Sequence, residues 1–251
     1  MKSVFNLNLV SAGVLLALGS LVGTAHAAGT TANTSVTNKA TLDYTVGGVN
    51  QTDIASSPTG STNGTGADTS FTVDNKVNLL VVAADSTFVP VVPGGSSVAK
   101  FTVTNTGNST QDFSLSTASI ANGAVLFGGT DNIDPSAACS VVVENDAFAV
   151  GNTYTSGTDT ATFIDELAPD ASKTVYVICS FAGTVVNKDV SLISLTATAR
   201  TGGSAGGSVG AALTQTTTPT AGVDIVFADG AGSETADVAR DASYSARDAF
   251  R

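Results

Sequence analysis

Histidine and cysteine limit the chemistry that this chain of 251 residues could perform. Its one histidine is His26, in an N-terminal segment that we expect to be removed, and its two cysteines are Cys139 and Cys179. Without an imidazole, the remaining chain could not build a Ser-His-Asp triad, a Cys-His dyad or a histidine-ligated zinc site. Catalysis would depend on carboxylates, lysine, tyrosine or hydroxyl groups, and we expect the protein not to be an enzyme.

Two local motifs could supply such groups, and each has a simpler interpretation. Ser97 and Lys100 have the S-x-x-K spacing of penicillin-recognising enzymes. They lead into a predicted strand, however, on which residues three apart face opposite sides. Asp165 and Glu166 could form the carboxylate pair of a glycosidase. The chain has no tryptophan and only 6% aromatic residues with which to stack a sugar, so surface acids are the favoured interpretation.

The two cysteines predict a disulfide. An even number of cysteines in an exported chain favours pairing. Each cysteine also adjoins a strand-like run, with residues 140–143 after Cys139 and residues 175–178 before Cys179. The alternative is a reactive or metal-binding thiol pair, but the chain has neither a C-x-x-C spacing nor a histidine partner for it.

Residues 1–27 resemble a secretory signal peptide. Lys2 gives a positive start, residues 10–22 are mainly apolar, and Ala25-His26-Ala27 has the small residues of a cleavage site. A retained membrane anchor would need about 20 apolar residues, and this run is shorter. We therefore expect Ala28 to begin a mature chain without a membrane span. That chain would be secreted, to the extracellular space, the cell surface or the periplasm.

The mature chain would be strongly acidic, because removal of Lys2 changes the formal net charge from -11 to -12. Nucleic acid and anionic lipid both bind positive patches, so we expect neither as a partner. Acidity would keep an exported protein soluble, and it could attract divalent cations.

Short alternating segments predict an all-β fold. The clearest pattern is residues 100–116, where Phe101 and Val103 alternate with threonines and a second strand follows with Phe113 and Leu115. We predict a hairpin whose turn, residues 105–108, uses asparagine and glycine because they tolerate positive φ. Repeated short strands without amphipathic helices favour an antiparallel β-sandwich.

The predicted organisation has four parts, of which the signal peptide is the first. Residues 28–70 contain N-terminal strands, with a hairpin that turns at Gly47-Gly48, and a flexible loop over residues 56–69. Residues 71–200 form the sandwich. Residues 201–251 contain a Gly-rich linker, an extra strand near residues 223–227 and a polar C-terminal tail. The Ala-Arg-Asp-Ala repeat in that tail, at residues 239 and 246, could instead form a short helix.

Six segments are spread over most of the mature chain: ATLDYTVGGVNQ (40–51), FTVDNKVNLLVV (71–82), PGGSSVAKFTVTNTGNSTQDFSLS (93–116), DTATFIDELAPDASKTVYV (159–177), AGVDIVFADGAGS (221–233) and ARDASYSARDAF (239–250). They resemble large bacterial surface and secreted proteins built from immunoglobulin-like repeat domains of unknown function. The resemblance implies an immunoglobulin-like antiparallel β-sandwich, and it specifies the fold far better than an activity.

The resemblance also implies a candidate calcium site. Relatives often carry a calcium-binding turn at the place of residues 144–166, where Glu144, Asp146, Asp159 and Asp165 could supply ligands. Residues 147–150 interrupt the alternating oxygen ligands, and calcium needs about six to eight oxygens. A solvated acidic loop without a cofactor is therefore the favoured interpretation.

These patterns predict a non-enzymatic structural or adhesive module of the bacterial cell surface or secreted matrix, with cell-surface or matrix proteins as partners. One alternative is a subunit of a strand-exchanged surface polymer, suggested by the detached strand at residues 39–46, because incomplete sheets accept strands from neighbours. A secreted ligand-binding domain is a further alternative, which rests on fold analogy alone.

Overall fold

The computed structural model describes residues 29–145, 153–203 and 206–251, and every regular element in these ranges is a β-strand. The all-β prediction is confirmed for this part of the chain. The predicted leader, residues 1–27, lies outside the described residues. No described segment forms a helix with the length and apolar character needed to cross a membrane.

Residues 35–72 form a separate β-structure, which we call the arm. Its strands are β1 (Ser35–Asn38), β2 (Thr41–Leu42), β3 (Thr45–Val46), β4 (Val49–Asn50), β5 (Ile54–Ser57), β6 (Gly60–Asn63) and β7 (Thr69–Thr72). They pair antiparallel as β1-β7, β2-β5-β6 and β3-β4. The predicted turn at Gly47-Gly48 is confirmed between β3 and β4, and both glycines have positive φ. The predicted flexible loop at residues 56–69 is partly wrong, because β6 pairs with β5 there.

The rest of the described chain forms the body of the protein. Its strands are β8 (Asn75–Val77), β9 (Leu79–Ala83), β10 (Ser96–Asn105), β11 (Gln111–Ser119), β12 (Val125–Leu126), β13 (Gly129–Thr130), β14 (Ser140–Val143), β15 (Phe163–Leu167), β16 (Ser172–Ser180), β17 (Ser191–Thr201), β18 (Ile225–Phe227) and β19 (Ser243–Phe250). Two antiparallel sheets, in the orders β14-β16-β10-β9 and β15-β11-β17-β19, form a sandwich. Alternate residues such as Phe101, Val103, Val175 and Ile193 point inward and fill one core.

Residues 100–116 form the two predicted strands, but the predicted hairpin is wrong. β10 pairs with β9 and β16, whereas β11 pairs with β15 and β17. The chain therefore crosses from one sheet to the other between Asn105 and Gln111. Both strands bury one apolar face, and two facing sheets satisfy this requirement as well as a side-by-side pair does. The alternation alone could not distinguish the two arrangements.

The turn between β10 and β11 also has a different physical basis from the predicted one. Asn105, Gly107 and Asn108 are not among the residues with positive φ. Glycine is required at position 107 because a Cβ there would lie 2.5 Å from the carbonyl oxygen of Lys76. The buried Asn105 amide donates hydrogen bonds to the carbonyls of Ser109 and Leu167, at 2.9 and 2.8 Å. Close approach and hydrogen bonding therefore select these residues.

The predicted disulfide is confirmed between Cys139 and Cys179, whose Cα atoms are 4.4 Å apart. Cys139 directly precedes β14 and Cys179 lies in β16, and these strands are neighbours in one sheet with Ser140 opposite Ile178. Cys179 is fully buried and belongs to the core. The bond thus pins an edge strand to its partner.

The C-terminal segment is a core strand, and its interpretation as a polar tail or a short helix is wrong. β19 pairs with β17 along its whole length, and Phe250 is fully buried. Tyr244, Ala246 and Phe250 alternate towards the core, but Asp248 stands between them on the same face. A charged residue at a core position concealed the two-residue period of the strand. β18, near the predicted extra strand, pairs in parallel with β8.

The sandwich has two ends, which we call the arm pole and the far pole. The arm pole is the end that contains the β10–β11 connection. At this end the Asn105 amide donates a hydrogen bond to the carbonyl of Leu167, and Leu167 pairs with Gln111 at the start of β11. The far pole contains the first residues of β10 and β17 and the last residues of β16 and β19. The rings of Phe181 and Phe250, 5.2 Å apart, join the two sheets there.

Candidate functional site

The predicted calcium ligands have separate structural roles where the structure describes them. Asp159 is buried, and its two carboxylate oxygens accept hydrogen bonds from the backbone N–H groups of Asn145 and Thr155, at 3.0 and 2.7 Å. Glu144 is buried and accepts a hydrogen bond from the hydroxyl of Tyr176. Asp146 lies outside the described residues. Asp159 therefore braces the loop that follows β14, and the choice between a solvated acidic loop, the favoured interpretation, and a calcium site stays untested.

Asp165 belongs to a different acidic cluster, with Asp112 and Glu166. One carboxylate oxygen from each lies within 4.8 Å of the others, and this is the one group of at least three metal-ligating side chains in the described ranges. Asp112 is almost fully buried and accepts hydrogen bonds from the N–H groups of Glu166 and Gly210, at 2.9 and 2.8 Å. Glu166 accepts one from Gly203 N–H. The cluster thus fastens the Gly-rich loop to the arm pole.

Sequence reasoning missed Asp112, although a signal for it was present. Asp112 stands beside Phe113 in a strand, a position where an unpaired carboxylate would be costly to bury. In the structure Asp112 lies at a β-bulge, because the pairing of β11 with β15 shifts register between Gln111 and Phe113. Three carboxylates at this spacing could hold a hard cation, but their hydrogen bonds to backbone N–H groups already give them a structural role.

Ser97 and Lys100 are not brought together. Ser97 is buried, and its Oγ accepts a hydrogen bond from the backbone N–H of Val92 at 3.0 Å. Lys100 lies three residues along β10 and therefore on the opposite face of the strand. The S-x-x-K spacing here makes no Ser–Lys pair.

The tip of the arm, residues 41–53, presents apolar side chains to solvent. Leu42, Val46 and Val49 are 58, 61 and 65% exposed, and Tyr44 is 39% exposed. The only charged residues in the tip are Asp43 and Asp53, which border a shallow cleft with Tyr44 and Gln51. The tip is thus an apolar surface with two negative charges.

Asn108 fixes the base of the arm to the sandwich. Its side-chain carbonyl accepts a hydrogen bond from Lys76 N–H at 2.8 Å, and its amide donates to the carbonyls of Thr30 and Asp74 at 3.1 and 2.9 Å. Its own backbone carbonyl accepts from Ala32 N–H at 3.1 Å. One buried amide therefore joins three segments of the chain.

The far pole carries a cleft of about 420 Å³, which we call the far-pole cleft. Its walls combine apolar side chains with polar groups, and two of the lining residues are cationic: Phe88, Pro90, Val91, Pro93, Val185, Val186, Asn187, Lys188 and Arg251. The Arg251 guanidinium lies 5.1 Å from the centre of the Phe88 ring, within the range of a cation–π contact. Phe88 itself packs on a small second core beneath it.

Two buried carboxyl groups of the body have raised pKa values. Burial raises the pKa of Asp248 to about 7, with a further rise from the nearby Asp85 carboxylate that the Ala249 N–H hydrogen bond opposes. Burial also raises the pKa of Asp131, an effect that backbone hydrogen bonds from Leu192 and Ile133 oppose and the nearby Asp134 carboxylate adds to. Both groups make the stability of the body sensitive to pH.

Neither the known protein-family models nor the curated proteins give a match to this chain. The resemblance to immunoglobulin-like repeat proteins therefore stays an inference from the quoted segments.

Proposed function

We propose that the chain is a non-enzymatic structural or adhesive module of a bacterial cell surface or secreted matrix. The observation that carries this proposal is the arm, which presents Leu42, Tyr44, Val46 and Val49 to solvent from a sandwich pinned by a disulfide. Contiguous exposed apolar side chains are typical of interaction surfaces. The disulfide supports export, because such bonds persist in oxidising compartments.

The use of carboxylates in the body agrees with a scaffold role. Asp112, Asp159, Asp224 and Asp229 each accept hydrogen bonds from backbone N–H groups of a neighbouring loop. Such bonds order loops without requiring a ligand. These four aspartates thus stabilise the loops of the body through backbone hydrogen bonds.

The strand order supports an immunoglobulin-like arrangement. β9, β10, β16 and β14 take the places of strands A, B, E and D, and β19, β17, β11 and β15 take those of G, F, C and C′. Two features depart from that pattern. β14 precedes β15 along the chain, and the disulfide joins neighbours in one sheet, whereas the antibody disulfide joins the two sheets.

Retention by the cell surface tests the adhesive function. The full chain would be expressed and exported in a bacterium, and the protein bound to washed cells or matrix would be compared with the protein in the medium. We expect the triple variant Leu42→Ser, Val46→Ser, Val49→Ser to lose at least about tenfold in retention, since each change removes an exposed apolar contact. Val82→Ser and Val223→Ser are matched controls at exposed valines of the body. Equal retention of the triple variant would contradict the proposal.

A second candidate function is a subunit of a strand-exchanged surface polymer. It is favoured by residues 39–46, in which apolar residues alternate with polar ones. This segment forms only the two-residue strands β2 and β3, and none of its apolar side chains is buried. A strand pattern without a buried face lacks the partner that the pattern implies. Electron microscopy of the exported protein over a range of concentrations separates monomers from filaments, and monomers at every concentration would contradict this function.

A further inference from the structure

The arm tip and the far-pole cleft belong to opposite ends of the molecule. The arm is fastened at the arm pole through Asn108 and Lys76, and its strands pack on one another and hardly on the sandwich. The far-pole cleft lies beyond the last residues of β16 and β19. The 11 residues of β17 alone separate the two poles by roughly 35 Å. A contact between tip and cleft would therefore join two copies of the chain.

Both surfaces present apolar side chains. The tip presents Leu42, Val46 and Val49, and the cleft presents Phe88, Pro90 and Val186. Val186 is 66% exposed, which makes it one of the most exposed large apolar residues of the body. Burying such side chains against each other would remove apolar area from water on both partners.

The two surfaces also match in charge. Asp43 and Asp53 are the only charges of the tip, and the single arm ion pair, Lys39 with Asp68, lies at the base of the arm. The cleft is bordered by Lys188 and Arg251, two of the 10 lysines and arginines in a chain of net charge -11. The neighbouring Asp189 carboxylate is engaged by Val186 N–H and the Asn132 amide. Opposite charges on two surfaces that also present apolar side chains favour their association and fix its orientation.

We propose that the arm tip of one copy docks in the far-pole cleft of the next copy, with Asp43 and Asp53 facing Lys188 and Arg251. The inference rests on the proposal that the chain forms a polymer, but its contact is a docking of side chains in a cleft and not an exchanged strand. Because the donating and accepting surfaces differ and lie at opposite ends, every docked pair or longer chain of copies still offers one free tip and one free cleft. Head-to-tail contacts of this type give open chains when the rotation between copies does not close a ring.

Charge exchange between the two surfaces tests the proposal. One variant of the full exported chain carries Asp43→Lys and Asp53→Lys, and a second carries Lys188→Glu and Arg251→Glu. We expect each variant alone to need at least a tenfold higher concentration than the wild type for assembly, measured by sedimentation velocity and electron microscopy. An equimolar mixture should assemble near the wild-type concentration, because each reversed tip then meets a reversed cleft. Assembly of the wild type should also weaken as salt is raised.

Matched charge changes away from both surfaces control for the net charge. Asp68→Lys at the arm base and Lys173→Glu on β16 should leave assembly within about threefold of the wild type. If the wild type assembles and both reversed variants assemble equally well, the docking contact is wrong while the polymer function stands. If the wild type stays monomeric at every concentration, the polymer function itself is wrong. Failure of the mixture, with both variants folded by circular dichroism, also overturns the contact.

Discussion

β10 and the arm strands at residues 41–46 have the same alternation of apolar and polar residues but opposite environments. In β10, Phe101 and Val103 are fully buried beneath a facing sheet. In the arm, Leu42 and Val46 are exposed, because β2 and β3 each pair over two residues and no layer covers them. The comparison shows that the alternation predicts which face of a strand can be buried. Whether that face is buried depends on a neighbouring layer that covers it.

Truncating an apolar side chain should have very different effects on stability in β10 and in the arm, and we expect this difference to be the largest. We expect Phe101→Ala to lower the free energy of unfolding by about 3–5 kcal/mol, since it removes a buried aromatic side chain and leaves a cavity. Leu42→Ala should change it by less than about 0.5 kcal/mol. Urea denaturation followed by circular dichroism measures both. A cost for Leu42→Ala comparable to that of Phe101→Ala would show that the arm is buried in solution.

Removing the disulfide should also destabilise the body selectively. The bond closes a loop of 40 residues, so replacing Cys139 and Cys179 together by alanine should cost about 3–4 kcal/mol if the chain-entropy model holds. Hydrogen exchange should quicken in β14 and β16 and stay unchanged in the arm. Unchanged thermal stability of the double variant would contradict a structural role for the bond.

The buried carboxyl of Asp248 should make the body respond to pH where the arm does not. Its pKa of about 7 in the folded protein exceeds the ordinary value of 3.8, so between these values the folded state holds a proton that the unfolded state has released. Its stabilising effect is therefore complete below about pH 4 and is lost as the pH rises through 7. We expect Asp248→Asn to be more stable than the wild type at pH 8, by on the order of 3 kcal/mol, with the difference shrinking towards pH 4.

Thermal unfolding of both proteins over this pH range measures that difference. Asp53→Asn on the exposed arm is the control for replacing a carboxylate by an amide. A stability difference between wild type and Asp248→Asn that does not change with pH would contradict the assigned titration.

The junction between the two regions should depend on one amide. We expect Asn108→Ala to cost about 1–3 kcal/mol, because it leaves the Lys76 N–H and the carbonyls of Thr30 and Asp74 without this partner. Exchange of the Lys76 amide proton should quicken. Asn50→Ala at the arm tip is a matched amide control that should be nearly neutral. Equal exchange rates in the wild type and Asn108→Ala would show that the junction does not depend on this side chain.

Calcium should have the smallest effect. Asp159 and Asp112 already accept backbone hydrogen bonds through both carboxylate oxygens, so we expect millimolar calcium to shift the melting temperature by less than about 1 °C. Magnesium at the same concentration controls for ionic strength. A calcium-specific rise of several degrees, lost in Asp165→Asn, would instead assign a binding role to the Asp112–Asp165–Glu166 cluster.

Much of the fold could be predicted because strand periodicity is local. Phe101 and Val103 are two residues apart, and any layer that covers one covers the other. The Cys139–Cys179 bond could be predicted because the chain has just two cysteines. The path from β10 to β11 could not, since Asn105 forms long-range hydrogen bonds that no local pattern contains. β19 was not predicted because Asp248 occupies an inward position, where a strand usually has an apolar residue. The carboxyl of Asp248 has a raised pKa at this position.

Of the candidate surfaces, too, only the one formed by residues close together in the sequence could be predicted. The acidic tip could be read from neighbouring residues, Leu42 to Asp53. The far-pole cleft could not, because Phe88, Val186 and Arg251 come from three distant segments that meet only when β9, β16 and β19 are assembled. Asp112 likewise joins Asp165 only through the pairing of β11 with β15.

The sequence by itself determined the all-β character, the disulfide, the alternation of the strands and the acidity of the chain, because each depends on composition or on residues close together. The tertiary structure alone decided that β10 and β11 lie in different sheets and that the C-terminal segment completes the core. It also decided that the arm keeps its apolar face in solvent. Sheet partners are chosen by contacts between distant residues, and their free energy depends on the whole assembled sandwich.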